Sequence, residues 1–535
     1  MMNAAGTVGS VQKLPTGIRS FDLIAEGGLP KSRTTLLSGT AGSGKTVFAT
    51  QFLAAGISGG ENGVFVTFEE SPGDICQNMR SFGWDLEQWE KDGSLAIVDA
   101  SPDPQTEIIE SGAFDLGALL ARVENAVRRV DAKRVSIDSL GAMFSQFGDQ
   151  ALVRRELFRI ASALKQMGVT AVMTAERTDD YGPIARFGVE EFIADNVMVL
   201  RNVLDEEKRR RTIEILKFRG TDHQKGEFPL TIVNGEGIVV IPLSSIQLRQ
   251  KSSDVRISSG DPDLDRMCGG GFFRDSVILV SGATGTGKTL TVTQFLAGGA
   301  AAGERCLLLA FEESRDQLFR NARGWGMDFE QMEQDGMLRV ICDYPEVAGL
   351  EDWLVRIRAI IEEFRPKRVA LDSLSALERG GSIKAFREFV IGISSFIKHQ
   401  EITGLFTSTT PALMGGSSIT ETHISTLTDS IILLRYVEAF GEMKRGLTVL
   451  KMRGSVHDKD IREFTIDADG MHIGRPFRHV TGILAGTPVH VSPADIERIW
   501  EQFDAEQDRI QVRAGVSGAD GQSGSAARHR GMDGA

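Results

Sequence analysis

Residues 39–46 read GTAGSGKT and residues 282–289 read GATGTGKT, two copies of the pattern G-x-x-x-x-G-K-T. Each follows an apolar run, TTLLSG or SVILVSG, and each precedes a stretch with helical spacing. A strand that turns through glycines into a helix offers backbone N–H groups and the positive end of the helix dipole to a phosphate. The pattern therefore predicts Gly39, Thr40, Ala41, Gly42, Ser43, Gly44, Lys45 and Thr46 around one ATP. It predicts Gly282, Ala283, Thr284, Gly285, Thr286, Gly287, Lys288 and Thr289 around a second. Lys45 and Lys288 would reach the β- and γ-phosphates, and Thr46 and Thr289 would ligate Mg2+. One such match can be a chance glycine-rich turn, whereas two matches in the same context and register make chance a poor account.

Working outward, Gly17, Asp22, Gly27, Gly28, Glu69 and Glu70 recur as Gly260, Asp265, Gly270, Gly271, Glu312 and Glu313, at the same offset of 243. Further on, Asp138, Lys217 and Arg219 recur as Asp372, Lys451 and Arg453 at an offset of 234, so the second copy is nine residues shorter in between. A period this long means a duplicated domain rather than a solenoid repeat. The copies are placed at 1–246 and 247–485, with the polar LSSIQLRQKSSD at their junction and an unmatched tail at 486–535.

Within each copy short apolar runs alternate with helical patterns, the signature of α/β units with a mostly parallel sheet flanked by helices. The strand candidates are TTLLSG, GVFVTFEE, RVSIDSL, GVTAVMTAE and NVMVLRNV, then SVILVSG, RCLLLAFEE, RVALDSL, ITGLFTSTT and SIILLRYVE. The late runs RTIEILKFRG and LTVLKMRG read as further strands joined in hairpins.

Composition bounds the function. Of 535 residues, 41% are hydrophobic and 25% charged, a globular balance able to fill a core in each copy. A net charge of −13 argues against a general grip on nucleic-acid backbones. The run Lys208 to Arg211 has acids beside it and a strand after it, and reads as a solvated hairpin near an interface. Cys76, Cys268, Cys306 and Cys342 lack metal or disulfide spacing. The opening MMNAAGTVGS has no export pattern and no stretch is long and apolar enough for a membrane span, so a cytoplasmic protein is expected.

Asp138 and Asp372 end apolar runs, where an acidic group completes a Mg2+ shell beside Thr46 and Thr289. Glu69, Glu70, Glu312 and Glu313 end the second strand candidates and are placed to accept a proton from an attacking water or hydroxyl. Neighbouring carboxylates raise one another's pKa and favour that role.

With these motifs doubled, and with SFGWDL, LRNVL, FEESRDQL, DSLSAL, EITGLFT, HISTLTD and KMRGSVHDK in the chain, the sequence resembles the KaiC family over residues 10–490. The resemblance implies two tandem RecA-like P-loop domains, six subunits in a double ring, and ATP at subunit interfaces. It implies that Lys217, Arg219 and His223, and likewise Lys451, Arg453 and His457, approach the ATP of the neighbouring subunit. It also implies slow ATP hydrolysis in the first ring, and in the second a Ser/Thr autokinase and autophosphatase acting on Ser425 and Thr426, with Thr420 as a transient acceptor. A circadian or hourglass timing role and a KaiB-like partner follow from the same resemblance.

The tail departs from the family pattern, so the resemblance does not extend to a KaiA-like activator. Its residues 494–513, DIERIWEQFDAEQDRIQVR with one residue before it, have helical spacing that suits either ring-to-ring pairing or packing back on the ring, and the glycine- and serine-rich end reads as disordered. Two other readings stay open on the motifs alone: a RecA-like DNA-stimulated ATPase, and a scaffold that binds ATP without transferring phosphate.

Overall fold

The computed structural model describes residues 11–101, 116–144, 150–186, 188, 190–242, 252–410, 426–439, 441–478, 480–484 and 489–490. Ser425, Thr420 and the expected tail helix lie outside these residues. Two nine-stranded sheets of identical order form the frame. Across the first run Gly237–Val240, Glu227–Val233, Lys208–Phe218, Asn196–Asp205, Thr34–Gly39, Thr170–Glu176, Arg134–Asp138, Gly63–Thr67 and Leu95–Asp99. Across the second run Gly470–Pro476, Arg462–Asp467, Glu442–Met452, Ser430–Ala439, Val277–Gly282, Thr403–Thr409, Arg368–Asp372, Cys306–Ala310 and Leu338–Cys342. In each sheet the first three strands are antiparallel additions and the other six are parallel to one another.

The parallel strands are buried on both faces because helices cover both. Every residue of Thr34–Gly39 and of Val277–Gly282 is buried. The covering helices have the matching period: Leu116–Val130 buries Leu116, Leu119, Val123, Ala126, Val127 and Val130, one stripe of a 3.6-residue repeat. Two strand candidates end early, at Thr67 and Ala310, because the glutamates after them turn out of the sheet. The edge strands Leu95–Asp99 and Leu338–Cys342 and the outermost hairpins go beyond the sequence reading. Their runs are short, and only pairing with a neighbour distinguishes them from loops.

Each half also buries an ion pair. Arg134 lies 2.7 Å from Glu61 and donates to the carbonyls of Pro15 and Phe52; Arg368 lies 2.7 Å from Glu304 and donates to those of Ser258 and Phe295. Removing the glutamate would strand a buried guanidinium, at a cost of about 3–5 kcal/mol.

The two halves meet through the antiparallel edge of the first sheet. Val239 and Ile241 enter the core formed by Leu350, Leu354, Phe389 and Val390 of the second half. Around this seam Lys208 Nζ donates to the carbonyl of Ala348 at 2.8 Å, and Arg210 Nε to Glu351 at 2.8 Å. This corrects the expected solvated hairpin: Arg210 keeps 14% of its side-chain surface exposed, because the second half packs on it.

Among the described residues no helix is long and apolar enough to cross a membrane. The four cysteines are free thiols.

Candidate functional site

Each phosphate loop follows the central strand of its sheet and opens a helix, Lys45–Ser58 or Lys288–Ala301. Gly44 and Gly287, the residues before those helices, sit at φ of 100° and 108°, a backbone setting that excludes most side chains. The loops close on themselves: Ser43 Oγ donates to the Thr40 carbonyl at 2.8 Å and Thr286 Oγ1 to the Ala283 carbonyl at 2.7 Å. Lys45 Nζ donates to the carbonyls of Gly39 and Thr40, both at 3.1 Å, and Lys288 Nζ to those of Gly282 and Ala283, both at 3.0 Å. These two lysines fold over the concavity that their own loops make. Lys288 is 8% exposed, and its burial pulls its pKa below the usual lysine range.

The threonine and aspartate predicted to share Mg2+ are in contact in both halves. Thr46 Oγ1 donates to Asp138 Oδ2 at 2.6 Å, and Thr289 Oγ1 to Asp372 Oδ2 at 2.8 Å. The other oxygen of each aspartate accepts from a threonine of the next strand, Thr174 or Thr407. In both halves the peptide after this aspartate is cis. A hydroxyl and a carboxylate side by side form the hard oxygen donor set that suits Mg2+. Asp372 is 8% exposed, and burial raises its pKa.

The paired glutamates divide their contacts. Glu70 and Glu313 each accept from an asparagine one helix away, Asn78 at 3.2 Å and Asn321 at 3.1 Å. Glu69 instead accepts from Ser139 Oγ at 3.0 Å, and Glu312 lies 3.6 Å from Arg379. Burial is the main cause that raises the pKa of Glu69, with Glu176 and Asp138 adding to it; burial and Asp372 do the same for Glu313. A carboxylate so placed is a better proton acceptor than one in water.

The cations expected to act across a subunit boundary lie elsewhere. Lys217 Nζ donates to the carbonyls of Glu191 (3.1 Å) and Ala194 (2.9 Å), and Arg219 lies 3.8 Å from Asp195. The Asp195 carboxylate in turn accepts from the Thr34 N–H, at the start of the strand whose end carries the phosphate loop. Lys451 Nζ donates to the Thr428 carbonyl at 2.6 Å and Arg453 to that of Thr426 at 2.9 Å, beside Asp429, which accepts from the Val277 N–H. Five residues of strand, about 17 Å, separate these groups from their own phosphate loop. His223 packs on the Phe218 ring at 5.5 Å, and among the described residues His457 Nδ1 is buried without a hydrogen-bond partner. Burial lowers the pKa of both Lys217 and Lys451, with the adjacent Arg219 and Arg453 contributing.

Several further groups at the first site belong to no sequence motif. Asp180 accepts from Thr40 Oγ1 at 2.8 Å, Asn202 donates to the Ala41 carbonyl at 3.3 Å, and Arg211 Nε donates to the Gly42 carbonyl at 2.9 Å. Asn78, Thr174, Asp195 and Arg211 have identical partners in the second copy, Asn321, Thr407, Asp429 and Arg445, so identity between copies off the apolar period was the available signal.

Residues 14–245 and 257–477 match the family model described as "ATPase: KaiC". The chain is 67% identical over 494 residues to the circadian clock protein KaiC3 of Synechocystis sp., covering 92% of this chain and 98% of that relative. It is 59% identical over 483 residues to the circadian clock oscillator protein KaiC of Thermostichus vulcanus, covering 90% and 93%. To the KaiC of Acaryochloris marina it is 57% identical over 502 residues, covering 93% and 96%.

Proposed function

The chain belongs to the KaiC ATPase family, and from that premise we propose that its first phosphate site hydrolyses ATP while its second transfers phosphate to Ser425 and Thr426 of a neighbouring subunit. The observation that carries this reading is the separation of parts within one chain. Thr426, Lys451 and Arg453 gather at one end of the second sheet and the phosphate loop at the other. Parts that cannot meet within a subunit meet between subunits when copies associate head to tail, the arrangement that closes into a ring. A homohexamer satisfies this need, and Lys217, Arg219 and His223 then serve the neighbour's first site as Lys451, Arg453 and His457 serve its second.

At the second site the acceptor hydroxyl oxygen bonds to the γ-phosphorus of ATP held by the loop Gly282 to Thr289, as the bond from that phosphorus to the β,γ-bridging oxygen breaks and ADP departs. Glu313, although its pKa is raised, is engaged by Asn321 and by Thr289 beside Asp372 at the Mg2+ position, which leaves Glu312 to take the hydroxyl proton. At the first site the loop Gly39 to Thr46 holds ATP, and Glu69 orients water and takes its proton. Thr46 with Asp138, and Thr289 with Asp372, would hold Mg2+, which supplies charge neutralisation on the β- and γ-oxygens when bound. The reverse transfer, from phosphorylated Ser425 or Thr426 to ADP, uses the same groups. In this scheme the phosphorylation state, with about two negative charges per phosphate, is the slow variable of a timing protein. The circadian clock role of the relatives and a KaiB-like partner belong to the same proposal, and nucleic acid has no part in it.

Incubation with magnesium-ATP followed by phosphopeptide mapping tests the scheme. Phosphate should appear on Ser425 or Thr426 and vanish in assembled Lys288→Ala rings, while Lys45→Ala rings keep it. ATP hydrolysis with no label on these residues in the wild type would overturn the autokinase assignment.

A further inference from the structure

Arg210 and Arg211 are neighbours on the strand Lys208–Phe218, and a strand points successive side chains to opposite faces. Arg211 turns to the first phosphate loop, where its Nε donates to the Gly42 carbonyl at 2.9 Å. Arg210 turns to the second half, where Nε donates to Glu351 at 2.8 Å and the guanidinium also bonds Glu388. The two glutamates stand on different helices, Leu350–Phe364 and Ile383–His399, so the guanidinium bridges both to the edge of the first sheet. All three side chains are mostly buried, with 14%, 16% and 24% of their surface exposed.

The second copy of this strand supplies a built-in control. Its residues 442–445 read EMKR where residues 208–211 read KRRR. The arginine that faces the phosphate loop in the first copy, Arg211, is matched by Arg445. Lys208 and Arg210, which engage the other half, are replaced by Glu442 and Lys444, and Lys444 pairs within its own half with Glu463 at 3.1 Å. Of these four positions only the last is unchanged: Arg209, which donates to the Asn202 carbonyl in its own half, is replaced as well, by Met443, and among the described residues Arg445 Nε is buried without a hydrogen-bond partner.

We infer that Arg210 is a positioning residue for the first ATP site: anchored by Glu351 and Glu388, it fixes the strand that holds Arg211 against Gly42, and so makes the shape of the first phosphate loop depend on the second half. A carbonyl tethered outward at Gly42 keeps the loop N–H groups turned toward the phosphates, so release weakens ATP binding before it slows chemistry. Arg211 touches the loop and Arg210 acts through it. The inference rests on the reading of the first site as an ATPase.

The test measures steady-state ATP hydrolysis by the full-length chain in a Lys288→Ala background, with ring assembly checked by light scattering. Arg210→Ala is expected to raise the KM for ATP about fivefold with kcat within about twofold, equivalent to about 1 kcal/mol at 1.4 kcal/mol per tenfold. Glu351→Gln/Glu388→Gln should reproduce the effect, and Arg210→Lys should restore part of it. In an Arg211→Ala background, Arg210→Ala should add nothing further, because the route through Gly42 is already cut. Additive effects in that cycle, or a fall in kcat at unchanged KM, would mean that Arg210 merely holds the halves together and would overturn the positioning role. Turnover that Lys45→Ala abolishes but Arg210→Ala leaves untouched would overturn it as well, with the first-site ATPase intact. Turnover indifferent to Lys45→Ala would sink the ATPase reading and the positioning role together.

Discussion

The first phosphate site is the more open of the two, and the second the more enclosed. Lys288 and Asp372 are each 8% exposed, whereas Lys45 and Asp138 are only half-buried. Glu69 is held by Ser139, but the matching Ser373 Oγ is buried with no hydrogen-bond partner among the described residues, and Glu312 faces Arg379 instead. The position that matches Arg379 in the first copy is Ser145. One frame has thus been tuned twice. A site that admits water suits hydrolysis, and a drier one suits transfer to a hydroxyl, since water is the competing acceptor.

Four measurements would break or sharpen that contrast. The largest effects come from the lysines. Lys45→Ala should lower ATP hydrolysis about hundredfold or more with phosphorylation retained, and Lys288→Ala should do the reverse, because each removes a charge-stabilising donor from one site only. Radiolabelled ATP resolves both activities in one sample, and equal losses in both would erase the division of labour.

Next, Glu69→Gln and Glu312→Gln should each cost about 10²-fold at their own site, the usual scale of a proton acceptor. For Glu69 the pH profile carries more information. Its pKa is raised, chiefly by burial, so the basic form is lost at a higher pH than for a free carboxylate. The acid limb of first-site hydrolysis should therefore lie above the ordinary carboxylate range, and a limb within that range would argue against Glu69 as the base.

A smaller effect concerns stability. The pKa of Asp372 is raised in the fold, so its protonated form is the favoured one there. That contribution to stability is present below the unfolded-state pKa and is lost as pH rises through the folded-state value. In nucleotide-free protein, Asp372→Asn should raise the melting temperature of the second half by about a few degrees at pH 8, with the gain shrinking as pH falls. A gain independent of pH would assign the effect to packing. Asp138 is less enclosed, so Asp138→Asn should change the first half less.

The smallest effect distinguishes the two serines. Ser139 donates to Glu69 and lowers its pKa, so Ser139→Ala should push the first-site pH profile further up and lower the rate at neutral pH about threefold. Ser373→Ala should leave phosphoryl transfer unchanged. Matching effects of the two substitutions would show that the serines act alike despite their different contacts.

The sequence by itself determined the duplication, the α/β frame and the groups around the phosphates. These are local: a phosphate loop is written in consecutive residues, and a parallel strand buried on both faces shows as a short apolar run such as VILV at 277–280 or CLLLA at 306–310. Pairs such as Thr46 with Asp138 were legible for a second reason, that both members recur in register. The tertiary structure alone decided which glutamate meets a serine and which an arginine, and that the lysine, arginine and threonine of the late strands stand about 17 Å of strand away from their own phosphate loop. It alone showed that, within the hairpin expected to be solvated near an interface, Lys208 and Arg210 are the members of the basic run that join the two halves. The reason is physical: charge, not periodicity, is what a surface loop and a buried ion pair have in common, and only the packing of Glu351 and Glu388 against Arg210 separates them.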